Sequence, residues 1–355
     1  MIQLNEILSK NEFTKEEIIY LLSLEGPEKT ALFEKSSAVK LATIGNKVYY
    51  RGLIELSNVC SKDCLYCGIR NSNENVHRYN ITDEEVLEVS KFAWDNKYGS
   101  IALQSGELRS PAFTKRITNL LKKIKEMSNG ELGVTISLGE QDEATYQEWF
   151  DAGAHRYLLR IEVSNPALYY KYHPGDHSYE ERLECLRALK RIGYQTGTGV
   201  MVGLPFQTLD DLADDLLFMK DMDVHMVGMG PFVEHHDTPL YKYSNLLLPK
   251  EERFTLTLKM IAILRLMMPD INMVAATAMQ AIDPLGREKA IKVGANILMP
   301  NITPGKYRDD YKLYENKPCT DDAAEDCKNC LEARVHIAGH EVGYGEWGDS
   351  KHFGK

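Results

Sequence analysis

The sequence predicts an α/β fold: a (β/α)8 TIM barrel with an N-terminal helical cap and a C-terminal cysteine-containing extension. Eight short β-branched or apolar runs alternate with amphipathic stretches, which is typical of parallel strands joined by helices. The number of runs favours a closed barrel, and no glycine-rich dinucleotide fingerprint follows the first run, which disfavours an open doubly wound sheet. The predicted strands are Tyr49–Leu56, Ser100–Leu103, Val134–Leu138, Tyr157–Val163, Thr196–Leu204, Met226–Phe232, Ile271–Ala276 and Asn296–Met299.

The helices are indicated by their start signals. Residues 1–46 are predicted to form the cap, because Thr14-x-x-Glu17 is a capping box ahead of an apolar run and Pro27 suits a first helical turn. The barrel is assigned to residues 47–310 and the extension to residues 311–355. Two further start signals lie between predicted strands: Thr82-x-x-Glu85 and Ser178-x-x-Glu181.

Composition limits the classes of function. The chain has 355 residues and a net charge of −10, which argues against broad binding of nucleic-acid phosphates. No apolar run is long enough to span a bilayer, and the first fifteen residues contain no signal-peptide core, so we expect a cytoplasmic protein without membrane contact. Seven cysteines in such a chain indicate metal or redox chemistry more than disulfides.

Three of these cysteines lie in one short loop after the first predicted strand. Cys60, Cys64 and Cys67 have x3 and x2 spacing, and three such thiolates can ligate three irons of a four-iron cluster. The fourth iron would then be open to a small molecule. The alternatives are a structural zinc site or unliganded thiols, although zinc would need a fourth nearby ligand and none precedes His77.

In a barrel of this kind, functional residues follow the carboxyl ends of the strands. Polar segments stand at these positions after the second to sixth predicted strands. Arg160 and Glu162 are two residues apart on a strand, so both side chains point to the same face. Charges on the inner face of a barrel need a partner. The polar segments are Ser105–Glu107, Ser137–Glu140, Arg160–Glu162, Met201–Pro205 and Glu234–Asp237.

The cysteine loop resembles the signature of the radical S-adenosylmethionine (radical SAM) enzymes, Cys-x3-Cys-x-aromatic-Cys, with Tyr66 as the aromatic residue. The resemblance implies a [4Fe–4S] cluster on Cys60, Cys64 and Cys67 whose open iron binds SAM. It also implies reductive cleavage of SAM to methionine and a 5′-deoxyadenosyl radical, and a protein that positions SAM and substrate and excludes water and oxygen.

The same resemblance implies roles for other residues. Ser105-Gly-Glu107 is similar to an element that contacts the methionine amino group, with Ser in place of a first Gly. Glu162 would bind the ribose hydroxyls and Arg182 the methionine carboxylate. The segment 199–205, which includes Met201, is similar to an element that packs on adenine. Tyr66, Gln104 and Arg160 complete the implied SAM site.

Within the superfamily, the sequence resembles the [FeFe]-hydrogenase maturases of the HydE type, in the biotin synthase-like group. The resemblance extends over almost the whole chain. It implies a role in assembling the di-iron subcluster of the hydrogenase active site, an organometallic or other small-molecule substrate, and a ferredoxin or flavodoxin as electron donor, with other maturation proteins as partners. The segments that carry it are Ile54–Cys60, Leu103–Glu107, Tyr157–Arg160, Met226–Phe232, Asp237–Leu240, Gly294–Asn296, Met299–Asn301 and Tyr307–Arg308.

Substrate contacts are also implied only by this resemblance. The family commonly has a Thr pair where Ala276-Thr277 stands, and Pro where His236 stands. Methionine and tyrosine at such positions are otherwise core residues. His235 and His236 are interpreted as a solvated loop pair. The implied cavity residues are Ser137, Met226, Thr277, Met299, Tyr311 and Tyr314.

A second cysteine set, Cys319, Cys327 and Cys330, lies in an acidic segment beyond the last predicted strand. Three clustered thiols can hold another iron–sulfur centre, and the spacing matches an auxiliary [2Fe–2S] or [4Fe–4S] site of the maturase family. The alternatives are a zinc site that uses His336 or His340, or a vestigial site. Cys185 is predicted to be a buried apolar residue.

Three other functions remain open at this stage. Biotin synthase shares the barrel and the first motif, but it holds a second cluster inside the barrel on strand cysteines, which the predicted strands here lack. A radical amino-acid mutase such as methylornithine synthase would share the SAM contacts, and the C-terminal cysteines weigh against it. A non-catalytic zinc or iron–sulfur carrier is the third.

Overall fold

The computed structural model describes residues 2–318 and 324–354. Its centre is a sheet of parallel strands in the order β10-β1-β2-β3-β4-β5-β7-β9, which confirms the predicted parallel α/β architecture. These strands are β1 (Lys47–Ser57), β2 (Ser100–Ser105), β3 (Gly133–Ser137), β4 (Arg156–Leu158), β5 (Gln195–Thr198), β7 (Met226–Val227), β9 (Asn272–Met273) and β10 (Ile297–Leu298).

The sheet closes on itself between its two edge strands. Val274 and Ile297 form a parallel bridge, the Ala275 N–H donates to the Ile297 carbonyl, and the Asn296 N–H donates to the Met273 carbonyl, both over 2.9 Å. Closure satisfies the backbone groups that an open edge would leave unpaired. The carboxyl ends of all eight strands of this ring therefore meet at one mouth.

The later strands are shorter than the sequence predicts. The predicted strand Tyr157–Val163 is regular only as far as Leu158, and beyond it Glu162, which has a left-handed φ of 66°, pairs with Val200 as an isolated bridge. The predicted strand Thr196–Leu204 is interrupted at Gly199, and Met226–Phe232 at Gly228, where the two backbones cross so closely that a Cβ on Gly199 would lie 2.0 Å from the Gly228 carbonyl oxygen. Beyond these breaks, β6 (Met201–Val202) pairs with β8 (Gly230–Pro231) as a separate ladder.

The helices alternate with the strands as predicted. Capping boxes at Thr14 and Thr82 and the N-cap at Ser178 are all confirmed. The described helices are α1 (Ile2–Leu8), α2 (Lys15–Ser23), α3 (Gly26–Thr43), α4 (Asp83–Asp95), α5 (Pro111–Met127), α6 (Glu143–Asp151), α7 (Pro166–Tyr172), α8 (Tyr179–Ile192), α9 (Leu209–Asp221), α10 (Lys250–Met267), α11 (Thr277–Ile282), α12 (Gly286–Val293), α13 (Gly305–Arg308) and α14 (Ala324–Ile337), with a 3-10 segment at Pro239–Leu246.

Each outer helix buries one stripe against the sheet. In α5 the buried residues Phe113, Ile117, Leu120, Leu121 and Ile124 recur at helical spacing, and they join one continuous core with the strands. None of the helices in residues 2–318 and 324–354 is long and apolar enough to cross a bilayer.

The N-terminal helices cap the barrel from outside. On α3, the Ser36 hydroxyl and the Lys40 ammonium donate to the carbonyls of Val293 and Ile291, each over 2.7 Å. The Lys40 Nζ also lies 2.7 Å from His340 Nε2, whose ring donates through Nδ1 to the Ala338 carbonyl. Burial lowers the pKa of Lys40 to about 6, and the charge of Arg265 adds to this effect.

Residues after α14 close the opposite end of the barrel from the mouth. Strand β11 (Glu341–Val342) pairs with the beginning of β1. The carbonyl of Gly348 accepts hydrogen bonds from Arg51 and Asn272, and Arg156 donates to the Trp347 carbonyl over 2.6 Å. The segment 341–350 therefore forms the floor of the barrel, which the sequence did not predict for this extension. The division at residues 46 and 310 stays a prediction.

The buried Lys40 predicts a pH-dependent stability. The folded protein releases the Lys40 proton near pH 6, whereas the unfolded chain holds it to about pH 10.5, so the unfolded chain binds more protons between these values. The free energy of unfolding should therefore rise with pH from 6 to 9, by at most about 1.4 kcal/mol per pH unit. Urea titrations should show this slope in the wild type and in Lys35→Met, an exposed lysine of the same helix. An unchanged slope in Lys40→Met would contradict the assignment.

Candidate active site

The cysteine loop follows β1 at the mouth and is fixed by its neighbours. The Ser61 N–H and hydroxyl both donate to the Glu107 carbonyl, over 2.8 and 2.9 Å. Gly106 touches the loop so closely that a Cβ there would lie 2.3 Å from the Val59 carbonyl oxygen and 2.8 Å from the Cys60 Cβ. The segment Ser105–Glu107 therefore serves first as the wall against which the cysteine loop is shaped.

The three thiols form a group suited to metal. Cys60 Sγ accepts the N–H of Lys62 over 3.4 Å and the N–H of Glu107 over 3.3 Å. Burial raises the pKa of all three thiols, that of Cys64 to about 12, and the neighbouring thiols raise the pKa of Cys67 further. Protein groups alone therefore do not hold these sulfurs as thiolates. A bound iron cluster supplies the positive charge that would do so.

Two histidines that the sequence analysis missed lie beside Cys64. Ring nitrogens of His173 and His177 and the Cys64 sulfur lie within 4.8 Å of one another, and the Tyr66 hydroxyl is 3.1 Å from His173 Nε2. One thiol and two imidazoles could together bind zinc. However, both ring nitrogens of His173 already have partners, Nδ1 the Tyr169 carbonyl and Nε2 the Tyr66 hydroxyl, which disfavours a zinc site here. Both histidines are more than a hundred residues from Cys64, so no short spacing could reveal them.

An ionic network joins the loops after the first three strands to α8. Glu140 lies at its centre, with Lys62 Nζ at 2.8 Å and Arg182 Nε at 2.5 Å. The Glu107 carboxylate accepts the Glu140 N–H over 2.9 Å and lies 3.5 Å from Lys62 Nζ. Gly139 permits this approach, because it has a φ of 77° and a Cβ there would lie 2.3 Å from Glu107 Oε2. The sequence analysis placed Glu140 in a polar segment but gave it no role.

The charges of this network define what it can hold. Burial opposes ionisation of Glu140, but Arg182 and Lys62 outweigh it and lower the pKa of Glu140 to about 2. Burial and the charge of Glu140 raise the pKa of Glu107. Glu107 Oε1 is buried without a hydrogen-bond partner, so it is an acceptor that a ligand amino group could satisfy. Arg182 also donates through Nη1 to the Arg160 carbonyl over 3.0 Å.

Arg160 and Glu162 lie beyond the end of β4, not on the predicted strand, and they form an ion pair with each other that the sequence did not predict. Arg160 Nε donates to Glu162 Oε2 over 3.1 Å, and Arg160 Nη2 donates to the Val200 carbonyl over 2.9 Å. The left-handed backbone of Glu162 is held by its N–H on the Gly199 carbonyl and by the Met201 N–H on its own carbonyl. Burial raises the pKa of Glu162, while Arg160 and Arg182 lower it. Met201 is thus positioned by the same turn.

A second polar wall lines the mouth and includes two residues that the sequence analysis missed, Glu55 and Lys317. Lys317 Nζ lies 2.5 Å from the carboxylate of Glu55 and donates to the Tyr311 carbonyl over 2.9 Å. Gln104 Nε2 is 3.2 Å from the Tyr311 hydroxyl, and the Asn301 amide donates to Glu55 over 3.2 Å. Burial raises the pKa of Glu55, and Lys317 partly offsets it. Ser137 stands beside Gln104 in the paired strands.

The remaining predicted cavity residues divide into two groups. Met226 and Met299 pack together inside the barrel with Leu158, in a small apolar cluster separate from the main core, and Arg51 contacts the Met226 sulfur. Met226 therefore lies toward the floor. Thr277 and Tyr314 are half-buried, Thr277 at the start of α11 and Tyr314 in the segment after α13.

The structure also tests the predictions made for the remaining cysteines and histidines. Cys185 is buried, as predicted. The solvated-pair interpretation is wrong for His235, which is buried and packs against Gly68, and His236 pairs with Glu315 over 2.8 Å. His340 is engaged through both ring nitrogens, which contradicts its use as a zinc ligand. Cys319 and the side chain of Cys327 lie outside the described residues, and Cys330 is exposed on α14.

A parallel barrel with three thiols at its mouth is the architecture of an iron–sulfur radical enzyme, and residues 54–219 match the model of the Radical SAM superfamily. The [FeFe] hydrogenase maturase subunit HydE of Thermotoga maritima is 45% identical over 98% of this chain and 96% of its own length. The chain therefore belongs to the HydE maturase family within the radical SAM superfamily.

Two more distant relatives share the architecture. The 3-methylornithine synthase of Methanosarcina acetivorans is 29% identical over 82% of this chain and 81% of its own length. A solved methylornithine synthase (PylB) superposes with a TM-score of 0.80 at 25% identity, covering 96% of this chain and 97% of that one. Membership of the superfamily means that the enzyme uses a [4Fe–4S] cluster and cleaves SAM, and the thiol group and the unsatisfied Glu107 oxygen fit these two cofactors.

The Glu55–Lys317 pair predicts a large loss of stability when one partner is removed. Lys317→Met would leave a buried carboxylate without a cation, and we expect the free energy of unfolding to fall by about 3–5 kcal/mol in urea titrations. Adding Glu55→Gln should restore most of this loss. Lys312→Met, which removes an exposed partner of Asp309, should cost less than about 1 kcal/mol. Equal effects of the two lysine substitutions would contradict the structure.

Proposed function

We propose that this protein is a radical SAM maturase that acts in assembly of the [FeFe]-hydrogenase active site, at its di-iron subcluster. The observation that carries the proposal is the 45% identity to the Thermotoga maritima HydE maturase over nearly the full length of both chains. The structure adds a site of matching chemistry, in which the thiols, Glu162 and Arg182 meet at one mouth. The substrate is a small, organometallic molecule bound in the barrel.

The residues of this chain would hold the cofactors as follows. Cys60, Cys64 and Cys67 would bind the [4Fe–4S] cluster, which supplies the electron that cleaves SAM. Arg182 Nη2 has no hydrogen-bond partner among the described residues, and it would bind the methionine carboxylate. Glu107 would accept the methionine amino group. Glu162, whose carboxylate is fixed by Arg160, would bind the ribose hydroxyls.

The cavity would extend from these residues down to the floor. Ser137, Tyr311 and the apolar cluster of Met226 and Met299 would bound the substrate on three sides, with Thr277 and Tyr314 at the rim. The cluster around Met226 is apolar, so it would keep water from the floor end of this space. A polar wall beside an apolar floor suits a substrate with one charged and one apolar end.

Other parts of the proposal rest on the family. A second [2Fe–2S] or [4Fe–4S] centre would be held by Cys319, Cys327 and Cys330, and exposed Cys330 would allow it to form without rearranging the barrel. A ferredoxin or flavodoxin would supply electrons, and other maturation proteins would supply or accept the substrate. Reduced thiols and low-potential electrons require a reducing compartment, which supports a cytoplasmic location.

Methylornithine synthase activity is the second candidate, because the solved synthase superposes over nearly all of both chains. Formation of methylornithine by the reconstituted enzyme would favour it over the maturase function. Biotin synthase chemistry is disfavoured, since none of the barrel strands in the described part of the chain carries a cysteine.

The first cysteine motif can be tested by Cys64→Ala. We expect this variant to fold but to lose the four-iron cluster, to form no 5′-deoxyadenosine from SAM with dithionite, and to leave a co-expressed apo-[FeFe]-hydrogenase inactive. Cys185→Ala is the matched control, because it removes a buried thiol of α8. It should still bind the cluster, form 5′-deoxyadenosine and activate the hydrogenase. SAM cleavage retained in Cys64→Ala would contradict the ligand assignment, and a wild type that never activates the hydrogenase would contradict the maturase proposal.

The second cysteine set is tested separately by Cys327→Ala. We expect loss of the additional iron with the first-site spectrum intact, and retention of most hydrogenase activation, because the sequence places this set beyond the last predicted strand and outside the predicted barrel mouth. Iron analysis and electron paramagnetic resonance before and after SAM addition would measure both centres. Complete inactivity with an intact first cluster would show that the second centre takes part in the reaction.

A further inference from the structure

An exposed apolar surface stands outside the mouth, beside the cysteine loop. It consists of residues 241–248 together with Phe206 and Lys171, and we refer to it as the 241–248 surface. Phe206, Tyr241, Leu246 and Leu248 are four of the nine large apolar side chains that are exposed in the described residues. Phe206 and Tyr243 pack edge to face with ring centroids 4.9 Å apart, which joins Phe206 to the segment 241–248. Contiguous exposed apolar residues of this kind are typical of interaction sites.

This surface is joined directly to the loop that carries the thiols. Leu65, which lies between Cys64 and Tyr66, donates its N–H to the Tyr172 carbonyl and accepts the Leu240 N–H at its carbonyl, each over 2.9 Å. Tyr172 ends the helix that carries Lys171, and Leu240 belongs to the 3-10 segment that carries Tyr241 and Leu246. One hydrogen bond on either side therefore separates the surface from the cysteine loop.

The charges on the surface are positive, although the chain as a whole carries −10. Lys171 Nζ lies 5.0 Å from the centre of the Phe206 ring, and Lys242 Nζ lies 4.8 Å from that of Tyr243. Among residues 2–318 and 324–354, neither ammonium has a carboxylate within 4 Å. Two unpaired cations over aromatic rings would attract an acidic partner and suit its flat, partly apolar contact face.

We propose that the 241–248 surface is the docking site for a small acidic electron-carrier protein that reduces the cluster. One electron passes from the reduced carrier to the cluster: the carrier is oxidised by one electron, the cluster is reduced by one, and no bond forms between the proteins. The inference rests on the proposed function, because only a reductively activated cluster needs such a donor. In a symmetric dimer the same surface of a second copy would face this one and bring Lys171 and Lys242 against like charges, which disfavours a second copy as the occupant.

The test compares a protein donor with a small reductant. The variant Lys242→Glu/Leu246→Ser changes the charge and the apolar contact, and neither side chain touches the thiols or the proposed SAM site. The control Lys35→Glu/Leu41→Ser makes the same changes on α3, where Leu41 is 48% exposed compared with 51% for Leu246. All proteins are reconstituted with the [4Fe–4S] cluster. Stopped-flow absorbance then follows cluster reduction by fully reduced flavodoxin and, separately, by dithionite.

We expect the rate constant for cluster reduction by flavodoxin to fall at least tenfold in the variant. The rate constant of the variant with dithionite, and both rate constants of the control, should stay within twofold of the wild type. The wild-type rate should also fall with added salt, and less so in the variant. An unchanged flavodoxin rate overturns the proposal, as does an equal fall with both reductants, which would locate the effect at the cluster.

Two further outcomes would also overturn the proposal by naming another occupant. In the first, the wild type sediments as a dimer and the variant as a monomer. In the second, the wild type binds anionic phosphatidylserine vesicles and the variant does not. In both, the rate of reduction by flavodoxin is the same in the two proteins. These readouts do not depend on hydrogenase activation. A failure of the maturase proposal would therefore be seen separately, as a wild type that is reduced normally but activates no hydrogenase.

Discussion

The active site depends on the buried ionic network centred on Glu140. Glu140 holds Lys62 of the cysteine loop and Arg182 of α8, and its backbone holds the Glu107 carboxylate. Each of these charges is costly to bury alone, so the network is stable only when the loops after β1, β2 and β3 are all in place. The shape of the thiol loop therefore depends on contacts with the loops after β2 and β3 and, through Glu140, with α8.

The parts of the fold that the sequence predicted well are those with local signals. Strands β1 to β3 contain uninterrupted runs of apolar and β-branched residues, and the capping boxes at Thr14 and Thr82 need only four residues to be recognised. The later strands were predicted too long, because the regular ladders are interrupted at Gly199, which lies against Gly228, and before Glu162, which pairs only as an isolated bridge. Apolar residues continue past those points, so hydrophobic pattern alone could not show where the pairing ends.

The same distinction applies to the active site: groups with a local sequence signal were predicted, and groups that come from distant parts of the chain were not. The three thiols were evident from spacing, whereas the ion pair of Arg160 with Glu162 was not predicted, although both residues were assigned to the site. The partners of these groups come from elsewhere in the chain: His173 lies beside Tyr66, and Lys317 neutralises Glu55 across the mouth. An acidic residue within a strand or a lysine in a loop is common in any protein. Only the closed barrel brings the two together and identifies both as buried.

The floor of the barrel imposes an order on the assembly of the protein. Arg51 of β1 and Arg156 of β4 are buried at the floor and donate to the carbonyls of Gly348 and Trp347. During synthesis, the strands emerge from the ribosome long before residues 341–350, so the two guanidinium groups remain without these acceptors and stay hydrated in the meantime. Water consequently reaches the interior until the floor arrives. The end of the barrel opposite the thiols is therefore closed to water only after residues 341–350 have been made.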